Sequence, residues 1–153
     1  MGVDAGYEFF AHTADVGLRA WGASAAEVFG QAALALVRLL YDPATVAERE
    51  RLDLSLEAPD GELLLVEWLN EVLYTVDAGR LLFRRFEVAA AGPVAEGPPD
   101  EVGVPWRLEA TGVGEPPDAR RHRVVPAVKA ATLHGLALRR GGEGWVAEVV
   151  LDV

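Results

Sequence analysis

One run constrains this chain more than any other: Leu65, Trp68, Leu69, Val72, Leu73 and Val76. Steps of three and four residues place them in one apolar stripe along a helix, and such a stripe is stable only when another surface covers it. Asp60 stands where an N-cap belongs and Gly79 where the helix must stop. A second stripe, Phe29, Ala32, Ala33, Leu36, Val37 and Leu40, follows Ser24 and Glu27, the spacing of a capping box. It should end near Tyr41, with Pro43 just beyond.

Elsewhere the period changes from helical to alternating. Tyr7–His12 and Val16–Trp21 read as two strands that pair as a hairpin around Thr13, Ala14 and Asp15. Arg51–Glu57 alternates cleanly and predicts a half-buried strand. Beyond Gly79, strands are expected over Leu81–Ala91, Val104–Thr111, Val124–Leu138 and Trp145–Asp152. A Gly/Pro-rich loop from 92 to 101 and a looser connection from 112 to 121 separate the first three. Two strands, a helix, a strand, a helix and four strand segments predict an α+β fold. It should have two layers, a mixed but mainly antiparallel sheet with two helices packed on one face. The length, 153 residues, suits one domain spanning 1–153, and with 51% hydrophobic residues a sizeable core is expected.

Charge and composition narrow the chemistry. The net charge of -10 repels nucleic-acid backbones unless a basic patch overrides it. The one dense basic run, Arg120-Arg121-His122-Arg123, is too short to line a groove. Strong independent nucleic-acid binding is therefore not expected; a basic protein partner or a cation fits better. No cysteine is present, which excludes disulfides, thiolate zinc sites and cysteine nucleophiles. No apolar run is long enough to span a membrane, and Met1-Gly2-Val3-Asp4 lacks the pattern of a signal peptide, so a cytoplasmic protein is expected.

No Gly-x-Ser-x-Gly, phosphate loop or dinucleotide glycine pattern occurs, and His12, His122 and His134 lack metal-ligand spacing. A self-contained catalytic constellation is not visible. Three residues are candidates nonetheless. Asp15 lies in the turn between two apolar strands, where it also reads as a plain turn aspartate. Asp152 follows Val149-Val150-Leu151 and adjoins the main-chain carboxylate of Val153; oxygen groups so close together repel one another unless a hard divalent cation joins them. Lys129 is the single lysine against 13 arginines. A compact ammonium that approaches a phosphate as a point charge is not replaceable by a planar guanidinium, although a lysine among small apolar residues also reads as one that snorkels to the rim. Glu67, Asn70 and Glu71 fall off the buried stripe and read as a solvated face with no assigned role.

Four segments, in order, resemble the archease family: His12-Thr13-Ala14-Asp15-Val16-Gly17, Glu67-Trp68-Leu69-Asn70-Glu71-Val72-Leu73-Tyr74, Val128-Lys129-Ala130-Ala131-Thr132-Leu133-His134 and the terminal Leu151-Asp152-Val153. The resemblance covers nearly the whole chain. It implies a compact α+β fold and a non-enzymatic accessory role toward an RtcB-type RNA ligase in tRNA splicing and RNA repair. The partner ligase bonds guanylate to its own histidine, using GTP and manganese. The family promotes that step and multiple turnover, and can broaden which nucleotide triphosphate is accepted. It also implies a divalent-metal site, calcium in the family with magnesium or manganese as alternatives. The ligands would be Asp15, Asp152 and the terminal carboxylate of Val153, with Lys129 needed for activation and His12 and His134 as supporting residues. GTP and tRNA are then indirect partners. Two other readings stay open: a small metal-dependent enzyme acting on a phosphorylated metabolite, and a metal-independent chaperone-like adaptor.

Overall fold

The computed structural model describes residues 4–12, 15–95 and 103–153. Both helices form where the stripes require them. Helix α1 spans Ala25–Leu40; the Ser24 side chain accepts the Glu27 N–H, and the Glu27 carboxylate reaches back to the Ser24 N–H. All six residues of its stripe are buried. Helix α2 spans Gly61–Asp77, with the Asp60 carboxylate accepting the Leu63 N–H at 2.8 Å. Gly79, at φ +70°, takes the left-handed conformation that ends it. The two helices are joined through Trp68: its indole N–H donates to the Phe29 carbonyl at 2.9 Å, and its ring meets Phe86 edge-on at 5.6 Å.

Strands β1 (Gly6–His12), β2 (Asp15–Gly22), β3 (Glu50–Ala58), β4 (Leu82–Pro93), β5 (Trp106–Glu115), β6 (Ala130–Ala131), β7 (Ala137–Gly141) and β8 (Gly144–Asp152) complete the fold. It is α+β, and every strand pair among the described residues is antiparallel. The strands divide into two sheets where one was expected. The first runs β1-β2-β8, with β6 and β7 both pairing the far edge of β8; the second runs β3-β5-β4. Each helix packs against strands of both sheets, α1 on β2 and β4 and α2 on β3 and β6, and one apolar cluster contains side chains from all of them. Tyr41, at the end of α1, locks onto β4: its hydroxyl accepts the Phe83 N–H at 2.6 Å and donates to the Phe83 carbonyl at 2.9 Å. No helix is long and apolar enough to cross a membrane among the described residues.

Two strand assignments need correction. Strand β5 continues through Gly112 to Glu115, where a loose connection was expected. A Cβ on Gly112 would lie 2.2 Å from the Phe83 ring, and one on Gly114 would lie 1.7 Å from the Leu82 carbonyl oxygen. These glycines let β4 come close and are not strand breakers. The long strand expected over Val124–Leu138 is in fact a two-residue strand, a turn and β7. Before β6, the chain is held by the Val125 N–H on the Leu40 carbonyl, and Pro126 has no N–H to offer a ladder. After β6, the Thr132 hydroxyl bonds the Val150 carbonyl and accepts the His134 N–H, and Gly135 turns the chain at φ +67°. That turn lies against Val150, which explains why Val150 is buried as well as Ala147, Val149 and Leu151 on the opposite face of β8.

Candidate functional site

The β2–β8 ladder runs from the Gly22–Trp145 pair to the Val16–Leu151 pair. Carried one residue further, the same register sets Asp15, the first residue of β2, opposite Asp152, the last of β8. Directly opposed residues in antiparallel strands project to the same face with Cβ atoms about 4.5–5.5 Å apart. On the other side of β8, Ala130 pairs with Asp152, and the Lys129 N–H donates to the Asp152 carbonyl at 2.7 Å. Residues 15, 129 and 152 therefore come from three adjacent segments and meet at one end of the first sheet. Asp15 is half-buried, and Asp152, Val153 and Lys129 are exposed. Asp15 belongs to β2 itself and not to the connection before it. Thr13, Ala14 and the side chain of His12 lie outside the described residues.

Carboxylate oxygens are hard donors that suit calcium or magnesium, and the chain has no cysteine to supply a thiolate that would favour zinc. Among the described residues, no group of three His, Cys, Asp or Glu side chains is placed to hold a metal. A cation between Asp15 and Asp152 would therefore need a main-chain or terminal oxygen as its next protein donor, the place the sequence reading gives to Val153. The chemistry of the donor set fits a hard divalent ion on those terms.

Lys129 is exposed, between buried Val128 and Ala131, which is buried too. It lines a cleft of about 420 Å³ with Asn70, Leu73, Tyr74, Asp77 and Ala78. Its ammonium makes no ion pair among the described residues, whereas Arg19, Arg51, Arg85 and Arg121 are each held by carboxylates. A cation that is exposed and uncommitted is available to an incoming anionic group. His134 lies in the turn after β6 and is not among the residues lining that cleft.

Two features escaped the sequence reading. The first is Asn70, which falls on a helix face that looked merely solvated. Its carboxamide oxygen accepts the Ala131 N–H at 2.8 Å, and its amide nitrogen donates to the Ala131 carbonyl at 3.2 Å. The second is a carboxylate cluster at the end of β5. Glu115 is 1% exposed and is gripped by the Arg121 guanidinium, by the Ala47 N–H and by His122 at 3.1 Å. The Asp118 N–H donates to His122 Nδ1 at 2.9 Å, so the ring proton resides on Nε2 and points at Glu115. Arg121 first, then the Ala47 N–H, hold the Glu115 carboxyl at about 2, below its ordinary 4.5. Arg121 and His122, half of the basic run, are thus committed to Glu115, which leaves only Arg120 and Arg123 of that run for a phosphate. Nothing in the local sequence marks Glu115 as a partner, because its contacts with Ala47 and Arg121 exist only after folding.

The Archease protein family (MTH1598/TM1083) matches residues 7–153. Protein archease of Methanosarcina acetivorans is 34% identical over 147 residues, covering 96% of this chain and 95% of the relative. That of Pyrococcus abyssi is 32% identical over 148 residues, covering 96% and 98%. The solution structure of Methanobacterium thermoautotrophicum protein 1598 superposes with a TM-score of 0.78 at 31% identity, covering 97% of this chain and 99% of that one. With the fold and nearly its whole length shared with these proteins, the chain belongs to the archease family.

Proposed function

We propose that the chain is a non-enzymatic activator of an RtcB-type RNA ligase in tRNA splicing or RNA repair, working in the cytoplasm. It promotes guanylylation of the ligase and multiple turnover, and broadens nucleotide triphosphate use. The observation that carries this reading is the convergence of Asp15 and Asp152 across the β2–β8 ladder, with Lys129 bonded to the main chain of Asp152. Asp15, Asp152 and the main-chain carboxylate of Val153 hold a divalent cation, calcium or else magnesium or manganese. That cation supplies positive charge where phosphate oxygens gather. Lys129 adds a mobile ammonium beside it. His12 and His134 have supporting roles at most.

The proposed division of labour is simple. The ligase provides the nucleophilic histidine, GTP and RNA. This chain offers an exposed cation and a metal-binding tip, and the net charge of -10 keeps the rest of its surface away from RNA. Contact with GTP and tRNA is then indirect, through the ligase.

Single-turnover guanylylation of purified ligase tests the reading, with and without the chain and with and without chelator. Asp15→Ala and Asp152→Ala should each abolish stimulation while leaving the unfolding transition in place. Full stimulation by both variants would refute the metal role, and guanylylation unaffected by the native chain would refute the reading as a whole.

A further inference from the structure

Strand β6 is two residues long, and it carries the segment on which Lys129 depends. On one side it is bonded to β8: the Lys129 N–H reaches the Asp152 carbonyl at 2.7 Å and the Thr132 N–H reaches the Val150 carbonyl at 3.0 Å. On its other side no strand runs among the described residues. Both main-chain groups of Ala131 on that side are taken by Asn70 from helix α2. One carboxamide thus makes the two bonds that a neighbouring antiparallel strand would make with a hydrogen-bonded residue. Ala131 is buried, at 6% exposure, so water does not replace these bonds readily.

We infer that Asn70 is the positioning residue of the Lys129–Asp152 tip: a surrogate strand edge that fixes β6 between α2 and β8, and so sets the Lys129 ammonium against the end of the first sheet.

Three observations support the assignment. Residues 116–129 contain no helix or strand, so the chain arrives at Lys129 without regular structure to orient it. The turn at Gly135 follows within six residues, so the ladder that does orient Lys129 is confined to Ala130 and Ala131. Asn70 and Lys129 also line the same cleft, which puts the clamp beside the group it orients. Asparagine is the side chain the geometry calls for, because one donor and one acceptor must leave the same short stem. Aspartate keeps the acceptor for the Ala131 N–H and loses the donor for the Ala131 carbonyl, and alanine loses both.

The placement stands on hydrogen bonds alone; its functional consequence rests on the reading proposed above. The test therefore has two arms on the full chain. In the first, amide hydrogen exchange is followed by NMR in Asn70→Asp and Asn70→Ala. Exchange at Lys129 and Ala131 should accelerate by about tenfold or more, while the amides of helix α1 and strand β5 keep their protection. Unchanged exchange at Ala131, or equal acceleration throughout the molecule, overturns the inference, the latter because it marks a general loss of stability. In the second arm, guanylylation of the ligase is titrated with each variant. The maximal stimulation at saturation should fall by roughly tenfold, with the half-saturating concentration little changed, as expected when a group is misplaced and not removed. Lost stimulation without local loosening at Ala131 also overturns the positioning role. Lys129→Ala is the control: if it stimulates fully, the functional reading fails, and the exchange arm alone decides whether Asn70 is the clamp.

Discussion

Helix α2 and the segment 116–136 meet at β6 and are held by opposite means. Helix α2 is made locally. Its cap, stripe and stop are contiguous in sequence, and its apolar face disappears into the core at Leu65, Trp68, Leu69, Val72 and Val76. The other segment has two residues of strand and is fastened by scattered polar bonds: Arg121 and His122 on Glu115, Val125 on Leu40, Ala131 on Asn70, Lys129 and Thr132 on β8. Burial of apolar area is non-directional and tolerates adjustment, whereas a hydrogen bond fixes one atom against another. The first kind of region gives the molecule its stability. The second gives it an exposed segment at a defined position, and Lys129 is found there, beside the ends of β2 and β8 that carry Asp15 and Asp152.

This contrast can be broken by experiment. The largest stability loss should come from the packed half: Trp68→Ala removes a fully buried ring and the N–H that joins the two helices, and should cost about 3–5 kcal/mol in denaturant unfolding. A cost no greater than that of a surface substitution would mean that the helix pair is not the stable half.

A smaller, pH-dependent effect is expected at the Glu115 cluster. Its carboxyl titrates at about 2 in the folded chain against an ordinary 4.5, so the unfolded chain takes up the proton more readily. The stabilisation is complete above pH 4.5 and is lost as pH falls toward about 2. In Glu115→Gln the part of the acid-induced decline that arises from this group should vanish between those limits. An unaltered pH profile would show that the cluster does not anchor the segment.

The smallest stability change belongs to the tip. Lys129→Ala should shift unfolding by no more than about 0.5 kcal/mol, because the side chain is exposed and bears no ion pair among the described residues. The same variant should nevertheless lose stimulation of the ligase. A stability loss as large as that of Trp68→Ala would assign the lysine to the scaffold instead.

How far each region was legible from sequence follows from the same distinction. Ser24, Glu27, Asp60 and Gly79 act within a few residues of themselves, so their helices and ends could be read directly. The hairpin of β1 and β2 was equally local, and Asp15 was visible as its acidic residue, although it begins β2 and does not lie in the turn. Gly112 and Gly114 misled because a glycine that breaks a strand and one that admits a neighbouring backbone look the same until the neighbour is known. Asn70 misled because a polar residue off an apolar stripe signals solvent unless a main-chain edge happens to lie beside it.

Period and capping chemistry in the sequence determined the two helices, the alternating strands, the α+β class and the residue types at the tip. Only the tertiary structure decided that the strands split into two sheets, that β8 lies between β2 and β6, and that residues 15, 129 and 152 share one end. The physical reason is range. Propensities and side-chain periods act over three or four residues, whereas the pairing that joins Val16 to Leu151 depends on the folding of everything between them.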